Sequence, residues 1–243
     1  MIRSFTCGLL LLASGLSWAE AYLTIIIDDL GNSRQLGEAA LDIAEPVSYA
    51  VIPHTPYATH LANLAARLNK EVLLHMPMSN TQHSYHSEGM LTPNMDRASF
   101  DDNVRKNLAA VPHVVGVNNH MGSEMTKHYP QMRWLMQHLY SQALYFIDSR
   151  TTLDTEALQA ARDSGILADR RHVFLDNNTD ETYINQQLDY AINTALESGF
   201  AIAIGHPYPS TVRVLKKRLA ALAEEGVTLT STSHYLALKH ARP

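Results

Sequence analysis

The sequence predicts an α/β fold: a parallel (β/α) barrel of seven to eight strands, closed or nearly so. Three observations carry that expectation. Short apolar runs alternate with helical patterns of about 10 to 18 residues, as in right-handed parallel βα units. The runs are continuously apolar, which marks strands buried on both faces. Six of them stop at Asp or His: 23–29 (LTIIIDD), 71–75 (EVLLH), 114–120 (VVGVNNH), 144–148 (LYFID), 173–176 (VFLD) and 201–206 (AIAIGH). Active sites of parallel α/β folds gather at the carboxyl ends of the strands, so six such endings converge on one site.

The first 19 residues read as a signal peptide, with Arg3 ahead of an apolar stretch at 7–16 and small Ser17 and Ala19 at the cut; a cut after Ala21 is the alternative. The stretch is shorter than the roughly 20 residues that span a bilayer. The sole cysteine, Cys7, lies within it, so the mature chain has no thiol and no disulfide. A secreted, periplasmic protein is expected, with residues 20–243 forming one domain and no membrane span after processing. With 19 basic against 24 acidic side chains and a net charge of −5, nothing favours nucleic acid.

Strand one is followed by a turn and a helix capped by Ser33, burying Leu36, Ala39, Ala40 and Ile43, and stopped before Pro46. Strand two spans 47–52, with His54 in the loop beyond it, and a helix over 57–69 leads to strand three at His75. Residues 76–97 have little periodicity. A connection that long is often a lid or binding loop, so it is the candidate substrate wall, with His83 and His86 in it. Ser99 is expected to cap a helix to Val111. Strand four then ends in 118–123, and a helix over 130–142 buries Met132, Leu135, Met136 and Leu139 as core. Strand five ends at Asp148, Ser149 and Arg150; a helix covers 155–164, strand six 173–176, and a long helix runs to Ser198, where Gly199 ends it. Strand seven delivers His206. A helix over 211–225, a short strand at 227–230 and a frayed tail after Leu238 complete the chain.

Neighbouring strand residues face opposite ways, so Asp28 and Asp29 share a cavity only if the backbone turns at the strand end. One would then ligate a metal and the other act as base. Hydrolytic zinc sites take three protein ligands from His and carboxylate, and Asp29, His75 and His120 supply such a set from three strand ends. The metal would polarise an acyl carbonyl and lower the pKa of bound water, with Asp28 as base and His206 as acid on the other side. Asp148 or Asp176 would keep His206 protonated. Arg150 either positions Asp28, holds an anionic intermediate or makes a salt bridge at the rim. Asn119 and Ser123 are candidates for substrate contact or support. Zinc is favoured by the mixed ligand set, with Mn2+, Co2+, Ni2+ and Fe2+ also open.

The chain resembles the divergent polysaccharide deacetylases, an offshoot of the Nod-factor-type chitooligosaccharide deacetylases. The resemblance rests on IDDLG at 27–31, HMPM at 75–78, NNHMGS at 118–123, FIDSR at 146–150, VFLD at 173–176 and IGHPYP at 204–209. It implies a distorted (β/α) barrel and metal-dependent removal of N- or O-acetyl groups from a glycan. It also implies that Asp28 is the base, Asp29 the first metal ligand and His206 the acid. The better-characterised deacetylases place two metal histidines four apart, whereas Ser79 lies four after His75 and Glu124 four after His120. Here either the histidine ligands come from separate strands or the metal site is altered. The expected partner is an acetylated envelope glycan such as peptidoglycan. An inactive periplasmic glycan-binding or regulatory protein is the alternative, and a glycosidase pairing Asp28 with Asp148 or Asp176 ranks third.

Overall fold

The structure, a computed structural model, describes residues 20–82 and 87–241; the expected signal peptide, His83 and His86 lie outside them. β1 (Ala21–Leu30) is buried along nearly its whole length because it has neighbours on both edges and both faces. β8 (Phe200–Gly205) lies along one edge. The other edge pairs with β9 (Val227–Leu229) near its start and with β2 (Ser48–Val51) near its end. Beyond β2 come β3 (Val72–Met78), β4 (Val114–Met121), β5 (Tyr145–Asp148) and β6 (Ala168–Arg170), while β7 (Val173–Phe174) lies beyond β8. The order β6-β5-β4-β3-β2-β1-β8-β7, with β9 on β1, is parallel throughout.

The two ends of this strip are consecutive in the chain. Only Arg171 and His172 separate β6 from β7. The Arg171 N–H donates to Asp148 O at 2.9 Å and the His172 N–H to Ile202 O at 2.9 Å. One residue therefore belongs to the edge of β5 and the next to that of β8. Two residues reach only about 7 Å, so the sheet must curl until its ends meet at a seam. The parallel (β/α) barrel expected from the strand count is the architecture observed.

Alternation along each strand divides the interior into two layers. Leu23, Ile25 and Ile27 point outward into a core shared with helices α1 (Arg34–Leu41), α2 (Ala58–Arg67), α3 (Arg97–Ala110), α4 (Tyr129–Ser141), α5 (Ala157–Asp163), α6 (Glu181–Ser198) and α7 (Pro209–Arg218). Ile26, Ala50, Leu73, Ile147, Ile202 and Ile204 point inward and pack on Tyr235 and Leu236 of α8 (Thr232–Ala241). Instead of fraying after Leu238, the tail is helical to Ala241 and plugs the amino-terminal end of the barrel.

Other local expectations are corrected for identifiable reasons. α3 starts at Arg97 because Asp96, not Ser99, is its cap; the Asp96 carboxylate accepts from Ser99 N–H at 2.8 Å. The helix expected to reach 225 ends at Arg218 and tightens into a 3-10 turn, Leu219–Ala221. The unpatterned stretch 76–97 is pinned at both ends. β3 continues to Met78, which bridges to Leu91, and the Asn107 amide donates to Gly89 O at 2.8 Å.

Candidate active site

A bulge brings both carboxylates to the rim. Ile27 pairs with Tyr49 and Leu30 with Val51, so three steps of β1 oppose two of β2. Asp28 and Asp29 occupy the excess, and Asp29 has left-handed backbone at φ 61. Asp28 keeps the inward direction of Ile26, and the extra residue turns Asp29 back onto the same cavity. Met121 (φ 56) and Arg150 (φ 51) are also left-handed at the ends of β4 and β5. Three non-glycine residues in this costly conformation surround one site.

His75 tops the inward column above Leu73, and Asn118 shares a face of β4 with His120. The His75 Nδ1 lies 2.8 Å from Asn118 Oδ1, and the Asn118 amide donates to Asp28 Oδ1 at 2.7 Å. Asn118 has one donor group and one acceptor to offer. Because its amide N–H faces a carboxylate, its oxygen accepts from His75 Nδ1–H, leaving the Nε2 lone pair turned toward the aspartates.

The Nε2 of His75 is 3.1 Å from Asp29 Oδ1, and His120 Nδ1 is 2.9 Å from the same oxygen. Yet Asp29 Oδ1 is buried and accepts no hydrogen bond among the described residues. The contacts are short but poorly aimed for N–H donation. One atom from each of Asp29, His75 and His120 lies within 4.8 Å of the others. Separations near 3 Å suit ligands each about 2.0 to 2.2 Å from one ion, so the donor set fits a divalent metal. A carboxylate and two imidazoles suit zinc without excluding other first-row metals.

The charges of these groups are strongly coupled. Burial would lower the pKa of His75, but the Asp28 and Asp29 carboxylates outweigh it and raise it to about 9. Burial likewise pushes Asp29 up, and the His120 and His75 imidazoles beside it reverse that and hold it well below the usual range. Asp28, deeper, is raised by burial, with His75, His206 and the Asn118 hydrogen bond opposing.

His206 stands across the cavity, its Nε2 3.7 Å from Asp29 Oδ2. Its carboxylate partner is Asp176, not Asp148: Nδ1 lies 2.9 Å from Asp176 Oδ1, and the His206 N–H donates to Asp176 Oδ2 at 2.6 Å. The Thr211 hydroxyl donates to that oxygen at 2.7 Å. Burial lowers the His206 pKa, and Asp176 more than restores it, leaving it raised. Asp148 is raised by burial and accepts from Arg150 N–H at 2.8 Å and the Thr155 hydroxyl at 2.9 Å, shaping the β5 loop.

The remaining expected residues lie farther out. The Asn119 oxygen accepts from Ser149 N–H at 2.8 Å and its amide donates to Met121 O at 2.6 Å, tying two rim loops together. Ser123 accepts from Thr81 N–H at 3.1 Å. His54 turns instead to Asn107 on α3, at 2.9 Å, and His128 to Glu124, at 3.2 Å. Arg150 lends its charge to Asp148. Arg171, at the seam, is the arginine whose charge is coupled to both Asp28 and Asp148. Asn118, Thr211 and Arg171 escaped the sequence reading. Asn118 was detectable, two residues before His120 on a strand and hence on its face; Arg171 carried no signal, because the seam is a tertiary feature.

The sequence pattern of the divergent polysaccharide deacetylases matches residues 25–236. The chain belongs to this family. YibQ of Escherichia coli (strain K12), described as uncharacterized, is 38% identical over 214 residues, which are 88% of this chain and 67% of that protein. The crystal structure of the uncharacterized protein ATU2773 from Agrobacterium tumefaciens C58 shares the fold at TM-score 0.85 and 18% identity, covering 88% of this chain and 89% of that one. The barrel also resembles BA3943 of Bacillus anthracis, a family 4 carbohydrate esterase pseudoenzyme (TM-score 0.56, 15% identity, 89% and 66% covered). It further resembles the catalytic domain of a peptidoglycan N-acetylglucosamine deacetylase from Eubacterium rectale (TM-score 0.52, 12% identity, 87% and 88% covered). In this chain the two candidate metal histidines sit on adjacent strands, with His75 opposite Asn118 and His120 opposite Pro77. Neighbouring strands thus bring the two histidines together without a four-residue spacing within one segment.

Proposed function

We propose that the protein is a metal-dependent hydrolase that removes acetyl groups from a polysaccharide of the cell envelope. The observation that carries this reading is a buried carboxylate, Asp28, beside the Asp29–His75–His120 donor set, with the Asp176-bound His206 across the cavity. When bound there, a divalent metal, zinc by preference, supplies polarisation of the acyl carbonyl and a lowered pKa for water. Asp28, oriented by Asn118, takes the proton of the attacking water as oxygen bonds to the acyl carbon. His206 gives its Nε2 proton to the departing amine or alcohol as the acyl bond breaks, and Asp176 stabilises the imidazolium beforehand. Asn118 keeps His75 in the tautomer that a ligand needs. The family supports an acetylated polysaccharide as substrate, and the Eubacterium rectale neighbour makes peptidoglycan the first polymer to try. A periplasmic location follows from the signal-like stretch before Glu20.

A non-catalytic glycan-binding role has one observation in its favour, the pseudoenzyme on the same fold. The test separates the two. The purified protein is loaded with zinc or manganese, metal content is measured, and acetate release from N-acetylated peptidoglycan and chito-oligosaccharides is followed. About one equivalent of metal with acetate release supports the hydrolase. Metal bound with no release from any acetylated glycan moves the reading to the binder.

A further inference from the structure

We infer that the seam of the barrel carries a subsite for an acidic sugar, so that the polymer bears a carboxylate close to the acetyl group removed. This rests on the proposed deacetylase reading and specifies its substrate. The physical origin is topological. Most βα connections lay a helix over the sheet, but two residues join β6 to β7, and no helix can cover that joint. What remains is a cavity of 490 Å³ between the end of β5 and one face of α6.

Its lining is chemically selective. Arg150 and Arg171 line it beside His172, whose pKa burial pushes down, and no Asp or Glu side chain does among the described residues, although the chain carries a net charge of −5. A cation-rich pocket on an acidic protein favours an anion. Tyr183, Gln187 and Tyr190 follow one another at helical spacing along α6, so they share the face turned to this cavity. Tyr190 is 60% exposed, a large ring on a surface where burial does not hold it. Aromatic faces with an amide between them suit a sugar ring, and arginine suits the carboxylate it carries.

The subsite is linked to the catalytic site by packed side chains. The guanidinium of Arg171 lies 5.1 Å over the Phe174 ring, and Phe174 meets the His206 ring edge-on at 5.3 Å. Its Nε and Nη2 donate to Ser149 O at 2.7 Å and Arg150 O at 2.9 Å, which fixes the guanidinium and the Arg150 backbone together. A glycan with its acetyl group between Asp28 and His206 would pass Phe174 and place the adjoining sugar against Arg150 and Tyr190.

The test is calorimetric binding of two tetrasaccharides of equal length. One alternates glucuronate with N-acetylglucosamine; the other is neutral chitotetraose. The metal-loaded protein should prefer the acidic one by about tenfold at low salt, the size of one charge-assisted hydrogen bond. Arg150→Gln should abolish the preference and Arg150→Lys keep part of it, while Tyr190→Ala should weaken both ligands. Equal binding of the two by the native protein, or a preference surviving both Arg150→Gln and Tyr190→Ala, overturns the subsite. Stronger displacement by glucose 6-phosphate than by glucuronate reassigns the pocket to a phosphorylated sugar and overturns the carboxylate. Acetate release is measured in parallel, so a preference without release sinks the hydrolase and leaves the subsite standing.

Discussion

At the amino-terminal end of the barrel, Glu71 accepts from Ser233 N–H at 3.1 Å, the Ser48 hydroxyl at 3.1 Å and the Tyr145 hydroxyl at 3.2 Å. Asp169 nearby accepts from the Tyr235 hydroxyl at 2.8 Å and Lys239 Nζ at 2.6 Å. At the carboxyl end, Asp29 Oδ1 and the Ser79 and Ser149 hydroxyls are buried without a hydrogen bond among the described residues. Both ends bury carboxylates. The floor satisfies them with its own hydroxyls, amides and an ammonium, whereas the rim leaves some of its polar atoms for another partner. A buried unsatisfied polar group costs about 1 to 3 kcal/mol, so such groups persist where a ligand or metal completes them. The floor serves stability and the rim serves function.

Mutations can break that contrast. The largest effect is expected at Asp28, where Asp28→Asn should cut acetate release by about 10²- to 10⁴-fold with metal content unchanged. Equal metal loss in Asp28→Asn and His120→Ala would show that base and ligand are wrongly assigned. At the floor, Leu236→Ala should cost about 2 to 5 kcal/mol in denaturant unfolding, the range for a buried leucine. A rim substitution with the same stability cost but no loss of metal or turnover would erase the distinction.

Asn118→Ala should weaken metal affinity by about 10- to 100-fold, as removal of a ligand's supporting partner does. Unchanged affinity by competition titration would mean that the tautomer of His75 is set elsewhere. The smallest effect concerns pH. In the metal-free protein His75 is raised from 6.5 to about 9. Protonated His75 therefore contributes stability that is complete below 6.5 and is lost as pH rises through about 9. Metal must displace that proton, so affinity should rise with pH over the same window, with about one proton released per metal in calorimetry across buffers of different ionisation enthalpy. Pure metal uptake with no proton release would place the ligand set away from His75.

Much of the site was legible because its residues obey strand rules. Each apolar run shows where a strand ends, and alternation from Ile26, Leu73 and Ile204 points Asp28, His75 and His206 inward. The same alternation from His120 leads to Asn118, which hydrophobic patterning does not highlight because it is polar. β6 was invisible, since three residues carry no period. α8 was missed because its role depends on contacts such as Ser233 with Glu71, 162 positions away.

By itself the sequence determined the fold class, the strand ends that carry acid and histidine, and the inward direction of Asp28, His75 and His206, because these follow from local alternation and burial. Tertiary structure decided which of them meet. The bulge in β1 turns Asp29 beside Asp28, adjacent strands bring His120 to His75, and the pairing of β7 with β8 sets Asp176 rather than Asp148 against His206. These choices depend on register and curvature, which are set by pairings between residues far apart in the chain and have no local signature.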